Sequence, residues 1–402
     1  MKCRLRVVLG GIFAVVLPAF TQTWTQTSAP ITNWSAVASS ADGTRLLAAV
    51  SGGLIYTSTN SGATWTATSA PSTNWSAVAS SADGTKLVAV VNGGGIHISP
   101  DAGVTWTAAD APNTNWSAVA SSADGNKLVA VVGGTVAFLS EFGPPGPIYR
   151  STDSGATWTP TSVLNANCTS VATSSDGSKL VAAAHGGPLY VSRDSGATWE
   201  ERTPSFAYLV SVAASADGTR IAASTYDPFH SGGSSTVYVS TNSAATWETA
   251  QASGSGRGYV AASADGTRLV KAGGVAAFGN GGTILTSADS GATWTENVAP
   301  TLKWSAVASS ADGGKWVATV NGGGVYTSQS SLAPSLSIMT SGGDLVISWT
   351  VPSTSFGLQQ NSDLSGTTWT GVPATPALNY TSLQNQTIVP LLITNRFYRL
   401  KH

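Results

Sequence analysis

Most of the chain repeats a short pattern of apolar runs separated by polar turns. In one period, residues 75–80 and 96–99 mix apolar and polar positions and residues 87–91 form a continuous apolar run. These three segments predict three strands, and a short fourth strand follows around Trp106. The tetrapeptide Ala-Asp-Gly-Thr, or a close variant, supplies a tight turn after the first strand. The pattern therefore predicts a repeating four-stranded β unit.

The turn aspartates set the period of the repeat. They recur at intervals of 41 to 52 residues, and a period near 41 is typical of a four-stranded propeller blade. The seven copies predict seven blades. Their aspartates are Asp42, Asp83, Asp124, Asp176, Asp217, Asp265 and Asp312.

The two ends of the repeat complement each other. The seventh unit stops after its third strand, near Ser328, whereas Thr23–Pro30 repeats the sequence of Thr64–Pro71. The N-terminal segment is therefore predicted to supply the fourth strand of the last unit. This strand would close the ring and remove its open edges.

A second motif, Ser-x-Asp-x-Gly-x-x-Trp, lies between the third and fourth strands in six of the seven units. Its third residue can accept backbone N–H bonds, glycine at the fifth position permits a positive φ, and the tryptophan offers a large apolar surface. Ala244 replaces that glycine in the fifth unit, so we expect strain there. The third positions are Asn60, Asp101, Asp153, Asp194, Asn242 and Asp289.

These residues resemble the Asp-box, or BNR, repeat of sialidases, sortilin-type ectodomains and photosystem II assembly-factor-like propellers. The resemblance implies an all-β fold with a seven-bladed β-propeller over residues 22–331, in which the Asp-box turns are structural and lie away from the ligand face. A calcium ion needs six to eight oxygens, and each turn offers one carboxylate. We therefore expect neither a metal nor a cofactor.

The chain ends differ from the repeat. Lys2, Arg4 and Arg6 precede an apolar stretch at residues 7–20, which is typical of a secretory signal, so we expect residues 1–21 to be removed. Fourteen apolar residues are fewer than the ~20 that span a bilayer. Residues 335–402 show irregular strand-like runs that predict a small β-sandwich-like domain, and they loosely resemble the fibronectin-like modules of secreted bacterial proteins.

Composition narrows the class of protein. The chain has 19 Lys+Arg and 20 Asp+Glu without a basic stripe, which argues against nucleic-acid binding. No long apolar run follows the signal, so we expect no transmembrane segment in the mature chain. Cys168 is then the one remaining thiol. We expect a secreted or cell-envelope monomer whose partner is a carbohydrate or an extracellular protein.

Three insertions interrupt the repeat on one predicted face. They follow the second strands of units three, five and six, at residues 138–147, 226–235 and 275–282. Loops on a rigid scaffold commonly carry binding function, although drift in tolerant loops is the alternative. The insertions bring candidate binding residues: Phe138, Glu141, Phe142, Tyr226, Asp227, Phe229, His230, Phe278 and Asn280.

Further candidates lie on the same predicted face. His185 ends the second strand of unit four and is a candidate base or a solvated loop residue. Four tryptophans stand at the start of the first strands, where they can stack on sugar rings or pack between units. These are Trp34, Trp75, Trp116 and Trp304.

The sialidase resemblance implies three arginines that clamp the substrate carboxylate, a Tyr–Glu pair and an Asp acid/base. Arg45, Arg220 and Arg268 all follow structural turns, and the expected Arg-Ile-Pro motif is absent. A different glycosidase needs two carboxylates about 5 to 9 Å apart, for which Glu141 and Asp227 are available. The leading hypothesis is a non-enzymatic binding or scaffold propeller. The alternatives are a glycoside hydrolase of sialidase-like architecture and an assembly factor for exported proteins.

Overall fold

The structure is a computed structural model. It describes residues 22–133, 145–163, 166–202, 208–227, 234–274 and 281–329, and in the C-terminal part residues 336–341, 344–350, 357–362, 369–374, 376–379, 384–390 and 397–401. Every regular element within these ranges is a β-strand. No helix among them has the length and apolar character needed to cross a bilayer. The predicted signal peptide lies outside the described residues.

Strands β1 to β28 pair into seven antiparallel units of four within the described part of the chain. Units 1 to 3 are β2 (Thr32–Ser39), β3 (Leu46–Gly53), β4 (Ile55–Ser58), β5 (Thr66–Ala67); β6 (Thr73–Ser80), β7 (Leu87–Gly94), β8 (Ile96–Ser99), β9 (Thr107–Ala108); and β10 (Thr114–Ser121), β11 (Leu128–Val132), β12 (Ile148–Ser151), β13 (Thr159–Pro160). Units 4 to 6 are β14 (Cys168–Thr173), β15 (Leu180–Ala184), β16 (Leu189–Ser192), β17 (Glu200–Arg202); β18 (Leu209–Ala214), β19 (Ile221–Thr225), β20 (Ser234–Ser240), β21 (Glu248–Ser255); and β22 (Gly258–Ala262), β23 (Leu269–Gly273), β24 (Ile284–Ser287), β25 (Thr295–Glu296). Unit 7 combines β26 (Trp304–Ser309), β27 (Lys315–Gly323) and β28 (Val325–Gln329) with β1 (Thr25–Gln26).

A closed ring of backbone hydrogen bonds joins the units at one end. The amide of Ala41 donates to the carbonyl of Ala82 at 2.7 Å, and the same bond repeats from each unit to the next. The amide of Ala311 completes the cycle by donating to the carbonyl of Ala41 at 2.7 Å. The ring residues are Ala41, Ala82, Ala123, Ser175, Ala216, Ala264 and Ala311. We call this end of the ring the narrow end.

One basic side chain from each unit lies across the turn of the next unit. Lys127 donates from its Nζ to the carbonyl of Asp176 at 3.0 Å and to the hydroxyl of Ser195 at 3.2 Å, so it holds both motifs of unit 4. The stems of these side chains cover the turn glycines of the next unit. The series is Arg45, Lys86, Lys127, Lys179, Arg220, Arg268 and Lys315. Its three arginines therefore belong to structural contacts between units.

We expect two glycine substitutions to separate backbone strain from steric contact. Gly84 has φ +72°, and a Cβ there would lie 2.6 Å from Arg45 Cδ, whereas Gly186 has φ +64° and nothing within 4 Å. Gly186→Ala should cost about 1 kcal/mol, from the left-handed backbone alone. Gly84→Ala should cost about 2 to 3 kcal/mol, because the Arg45 stem must also move. Urea unfolding of both variants measures this difference, and equal losses would contradict the role of Arg45.

The Asp-box turns are held by their own hydrogen bonds. Asp153 accepts the amide of Thr157 at 3.0 Å, its hydroxyl at 2.7 Å and the hydroxyl of Ser151 at 2.7 Å. These bonds lower the pKa of Asp153 to about 2. The fourth motif position also has positive φ, +59° at Ser154, which the sequence pattern did not indicate. Ala244 has φ +65°, so the fifth box carries the strain expected of it.

The N-terminal segment closes the ring, as its sequence predicted. Thr25 pairs with Thr327 and Gln26 with Tyr326, so β1 is the fourth strand of unit 7. Trp24 is 4% exposed, and its ring centroid lies 6.2 Å from that of Trp304. The amide of Trp24 also donates to the carbonyl of Val298 in unit 6 at 3.0 Å. The segment therefore joins units 6 and 7.

Trp24→Ala should remove this closure. Truncating a buried tryptophan typically costs about 3 to 5 kcal/mol, so we expect a much lower melting temperature in calorimetry. Trp24→Phe is the matched control, because the indole nitrogen has no hydrogen-bond partner among the described residues. If Trp24→Ala has the same melting temperature as the wild type, β1 does not stabilise the ring.

The C-terminal part forms two small antiparallel sheets. One has the order β29 (Leu336–Ser341), β30 (Asp344–Thr350), β34 (Gln384–Pro390), β33 (Ala377–Asn379), and the other β32 (Thr370–Gly371), β31 (Gly357–Asn361), β35 (Phe397–Lys401). Trp349 and Ile347 from the first sheet pack with Leu358 from the second. The sequence did not indicate β33. The boundary between this part and the ring remains a prediction.

Candidate functional site

The end of the ring opposite the narrow end holds a cavity of about 510 Å³. Its wall consists mainly of the first residues of the inner strands and the residues that end the second strands, so the units contribute equivalent repeat positions. At the narrow end, a cavity of about 160 Å³ is lined by serine, threonine and alanine. We call the larger cavity and its lining residues the wide mouth.

Units 7, 1, 2 and 3 close their side of the wide mouth with extra strand pairing. The end of each second strand pairs with the start of the next first strand, as in Asn92 with Asn115 and Ser51 with Asn74. These pairs merge four units into one sheet of 16 strands, whereas units 4, 5 and 6 remain separate four-stranded sheets. We call the first group the regular sector. Its side chains at the mouth are largely neutral serines and asparagines.

Units 4 to 6 present different residues at the same repeat positions. His185 and Tyr226 stand where the regular sector has Ser51, Asn92, Gly133 or Asn321. Arg257 replaces the repeated tryptophan, and Tyr259 replaces an alanine. Tyr208 precedes the first strand of unit 5, where units 1 to 4 have asparagine. We call these five residues the variable sector: His185, Tyr208, Tyr226, Arg257 and Tyr259.

The variable sector is packed through its rings. The ring centroids of His185 and Tyr208 are 5.5 Å apart, and Arg257 Cζ lies 5.9 Å from the ring centroid of Tyr226. Burial and the charge of Arg257 both lower the pKa of His185. The imidazole is therefore neutral near pH 7 and offers no second cation to the wide mouth.

Backbone strain lies in the same place. Tyr208 has φ +57°, a left-handed conformation that is an outlier for a bulky residue. The amide of Tyr226 donates to the carbonyl of Tyr208 at 3.0 Å, which helps to hold this conformation. Strain of this kind costs about 1 to 3 kcal/mol and concentrates at functional sites. This outlier is an independent reason to place the site at units 4 to 6.

A buried lysine lies behind this wall. Lys271 is 1% exposed, and its Nζ donates to the carbonyl of Ser235 in unit 5 at 3.1 Å. Gly258 makes room for it, since a Cβ there would lie 2.9 Å from Lys271 Cε. The other six units have alanine at this position: Ala48, Ala89, Ala130, Ala182, Ala223 and Ala318. Burial lowers the pKa of Lys271 to about 8.

Lys271 should make stability depend on pH. Its pKa falls from 10.5 in the unfolded chain to about 8 in the folded chain, so the unfolded state binds more protons between these values. Stability should therefore rise by about 2 kcal/mol between pH 7 and pH 9.5. Lys271→Met, which keeps the volume and removes the charge, should abolish this rise. Urea unfolding across that range tests it, and equal slopes in both proteins would contradict it.

The four candidate tryptophans are not exposed at the wide mouth. Trp34, Trp75, Trp116 and Trp304 are buried, and each indole N–H donates to a backbone carbonyl at 3.0 to 3.2 Å. Each also packs against another tryptophan ring, as Trp75 does against Trp106 at 6.4 Å. Hydrophobic clusters that combine each of them with residues of the preceding unit account for their burial. Trp34 and Trp75 also line the cavity, but at 0% and 1% exposure they offer no open ring face, which corrects the interpretation as a stacking platform.

Several predicted candidates lie outside the described residues: Phe138, Glu141, Phe142, Phe229, His230, Phe278 and Asn280. Asp227 is described and is half-buried beside Tyr226. Cys168 is buried at a tryptophan position, and burial raises its pKa to about 12. Within the described ranges, no three ligating side chains come together to hold a metal ion.

Tyr208, Arg257, Tyr259 and Lys271 were not among the candidate residues predicted from the sequence. Each of these residues departs from the commonest residue at its repeat position, which is tryptophan for Arg257, asparagine for Tyr208 and alanine for Tyr259 and Lys271. A position-by-position alignment of the seven units with one another contains that signal.

No family model matches the sequence, and no curated protein matches it. Among solved structures, the chain is similar to YCF48 bound to D1 peptide, with a TM-score of 0.57 and 15% identity over 79% of this chain and 99% of that one. YCF48 from Cyanidioschyzon merolae gives a TM-score of 0.55 and 16% identity over 76% and 98%. The protein is an all-β propeller. The four-stranded units are the blades of this propeller.

An enzyme shares the same architecture. The GH74 xyloglucanase from Xanthomonas campestris is similar with a TM-score of 0.57 and 16% identity, over 82% of this chain and 59% of that one. A protein solved with a bound peptide and a xyloglucanase thus share this propeller fold. At these identities the similarity establishes the fold alone.

Proposed function

We propose that the protein is a non-enzymatic, exported binding propeller that holds a segment of a partner polypeptide at its wide mouth. The observation that carries the proposal is the variable sector. Its residues replace repeat positions around a cavity of about 510 Å³, while the regular sector keeps serine and asparagine there. Residues that break a repeat pattern and cluster on one side of a cavity are candidates for ligand binding.

The available surfaces favour a polypeptide over a carbohydrate. Sugar rings bind best to exposed flat aromatic faces, but the four indoles are buried and Arg257 lies over the ring of Tyr226. The regular sector instead offers amides and hydroxyls, which suit the alternating donors and acceptors of a peptide backbone. The YCF48 structure with a bound D1 peptide supports the proposal, since a propeller of this shape holds a peptide.

Hydrolysis has no comparable support. Of the two carboxylates available from the sequence, Asp227 is described and Glu141 lies outside the described residues. No observed separation between two carboxylates therefore favours a glycosidase. The similarity to a xyloglucanase concerns the fold.

The double variant His185→Asn, Tyr226→Ser tests the proposal. It gives the variable sector the residues of the regular sector, so the ring should fold normally. The mature wild-type chain should retain members of a displayed library of 12-residue peptides, and the double variant should bind the selected peptides at least tenfold more weakly. Arg193→Gln is the control, because Arg193 is exposed on an outer strand away from the cavity lining, and this variant should bind like the wild type.

Parallel screening of a polysaccharide array distinguishes the ligand classes. Retention of polysaccharides and of no peptide would replace the polypeptide with a carbohydrate as ligand. Peptides that bind the double variant as well as the wild type would show that the variable sector is not the site.

A further inference from the structure

The wide mouth carries positive charge. Among the described residues that line its cavity, Arg257 is the one permanent cation, and none is aspartate or glutamate. Arg257 and His185 line the same cavity, and after burial the charge of Arg257 is the second cause that lowers the pKa of His185. An anionic ligand group gains from this potential, because water is partly excluded from a concave site.

The position of Arg257 suits a carboxylate. A guanidinium presents five donors in a planar fork, and two of them match the two oxygens of a carboxylate. Arg257 Cζ lies 5.9 Å from the ring centroid of Tyr226, and this contact restricts the orientation of the side chain. A donor group that is already oriented loses less entropy when it binds a ligand.

Tyr226 provides a second, independent observation. The residue lines the cavity and is 6% exposed, and its hydroxyl is buried without a hydrogen-bond partner among the described residues. A buried hydroxyl without a hydrogen-bond partner destabilises the structure, so a ligand oxygen that accepts its hydrogen bond gains affinity. The hydroxyl is enclosed in this structure, so a carboxylate beside the Arg257 guanidinium accepts its hydrogen bond only when the phenol turns toward the cavity.

We infer that Arg257 and Tyr226 form a carboxylate-binding subsite for the bound polypeptide, which rests on the proposed function. The carboxylate is an acidic side chain or the C-terminus of the segment. Arg257 pairs with it through charge-assisted hydrogen bonds, and the Tyr226 hydroxyl donates a further one. The neutral serines and asparagines of the regular sector bind the adjoining backbone.

Small probes test the subsite without a selected peptide. N-acetylglutamate N-methylamide carries a side-chain carboxylate, N-acetylalanine carries a terminal one, and N-acetylglutamine N-methylamide is the neutral control. The mature chain is produced with ¹³C-labelled tyrosine residues, and each probe is titrated into it at pH 7. The NMR signals of the tyrosines should shift in a saturable way with at least one carboxylate probe. The neutral probe should bind at least tenfold more weakly, and raising the salt concentration should weaken the carboxylate interaction.

Variants assign the interaction to its residues. Arg257→Gln should abolish saturation, Arg257→Lys should keep part of it through charge, and Tyr226→Phe should weaken it about three- to tenfold. Arg193→Gln is the control, since Arg193 is exposed and pairs with Glu200 at 2.9 Å in an outer strand. Because the probe comparison uses the wild type, the test does not depend on the variants folding.

The outcomes separate this inference from the proposed function. Equal binding of the neutral probe, full binding by Arg257→Gln, or no saturation with either carboxylate would overturn the subsite. Library peptides that bind without an acidic group would then leave the polypeptide site standing. If a carboxylate probe binds but the library yields no binding peptide, the subsite is supported and the proposal of a polypeptide ligand is contradicted. Saturation by N-acetylglutamate N-methylamide would indicate an acidic side chain, and saturation by N-acetylalanine would indicate a C-terminus.

Discussion

The closed ring of backbone hydrogen bonds at the narrow end holds the rest of the structure in place. Each bond joins one unit to the next at 2.7 to 2.8 Å, and the cycle returns to Ala41. The donors and acceptors are backbone groups, so the ring needs only a small residue at each position. The basic side chains across each turn and the buried Trp24 strengthen the same contacts between units. This end of the ring tolerates little variation.

A rigid narrow end leaves the wide mouth free to vary. In the regular sector, pairs such as Asn92 with Asn115 extend the contacts between units to the mouth. In the described part of the chain, units 4 to 6 remain separate sheets, and isolated bridges, Gly146 with Ala166 and Gly282 with Leu302, join this group to units 3 and 7. The variable sector, the strained backbone of Tyr208 and the buried Lys271 all occur there. Such strained or buried polar residues would destabilise a less constrained structure. They are tolerated here because the closed ring holds each unit in position.

The candidate site is thus a set of substitutions in a repeat. Arg257 replaces a tryptophan that elsewhere packs between units, and Tyr226 and His185 replace small polar residues. Around this cavity, a packing residue is replaced by a charged one, and small polar residues are replaced by aromatic ones. One side of the cavity therefore differs chemically from the rest, so a ligand can be bound in one orientation.

The sequence by itself determined the strands, the turns, the Asp-box motif and closure by residues 23–30, because these depend on local alternation, turn chemistry and a period that neighbouring units share. It also predicted that Tyr226 and His185 share one face of the ring, and both line the wide mouth. Only the tertiary structure decided that Trp75 and its equivalents are buried and that Arg257 lies over Tyr226. These facts depend on contacts between residues of different units, which no local pattern records. The merged sheet of the regular sector has the same origin, since its pairs form across unit boundaries.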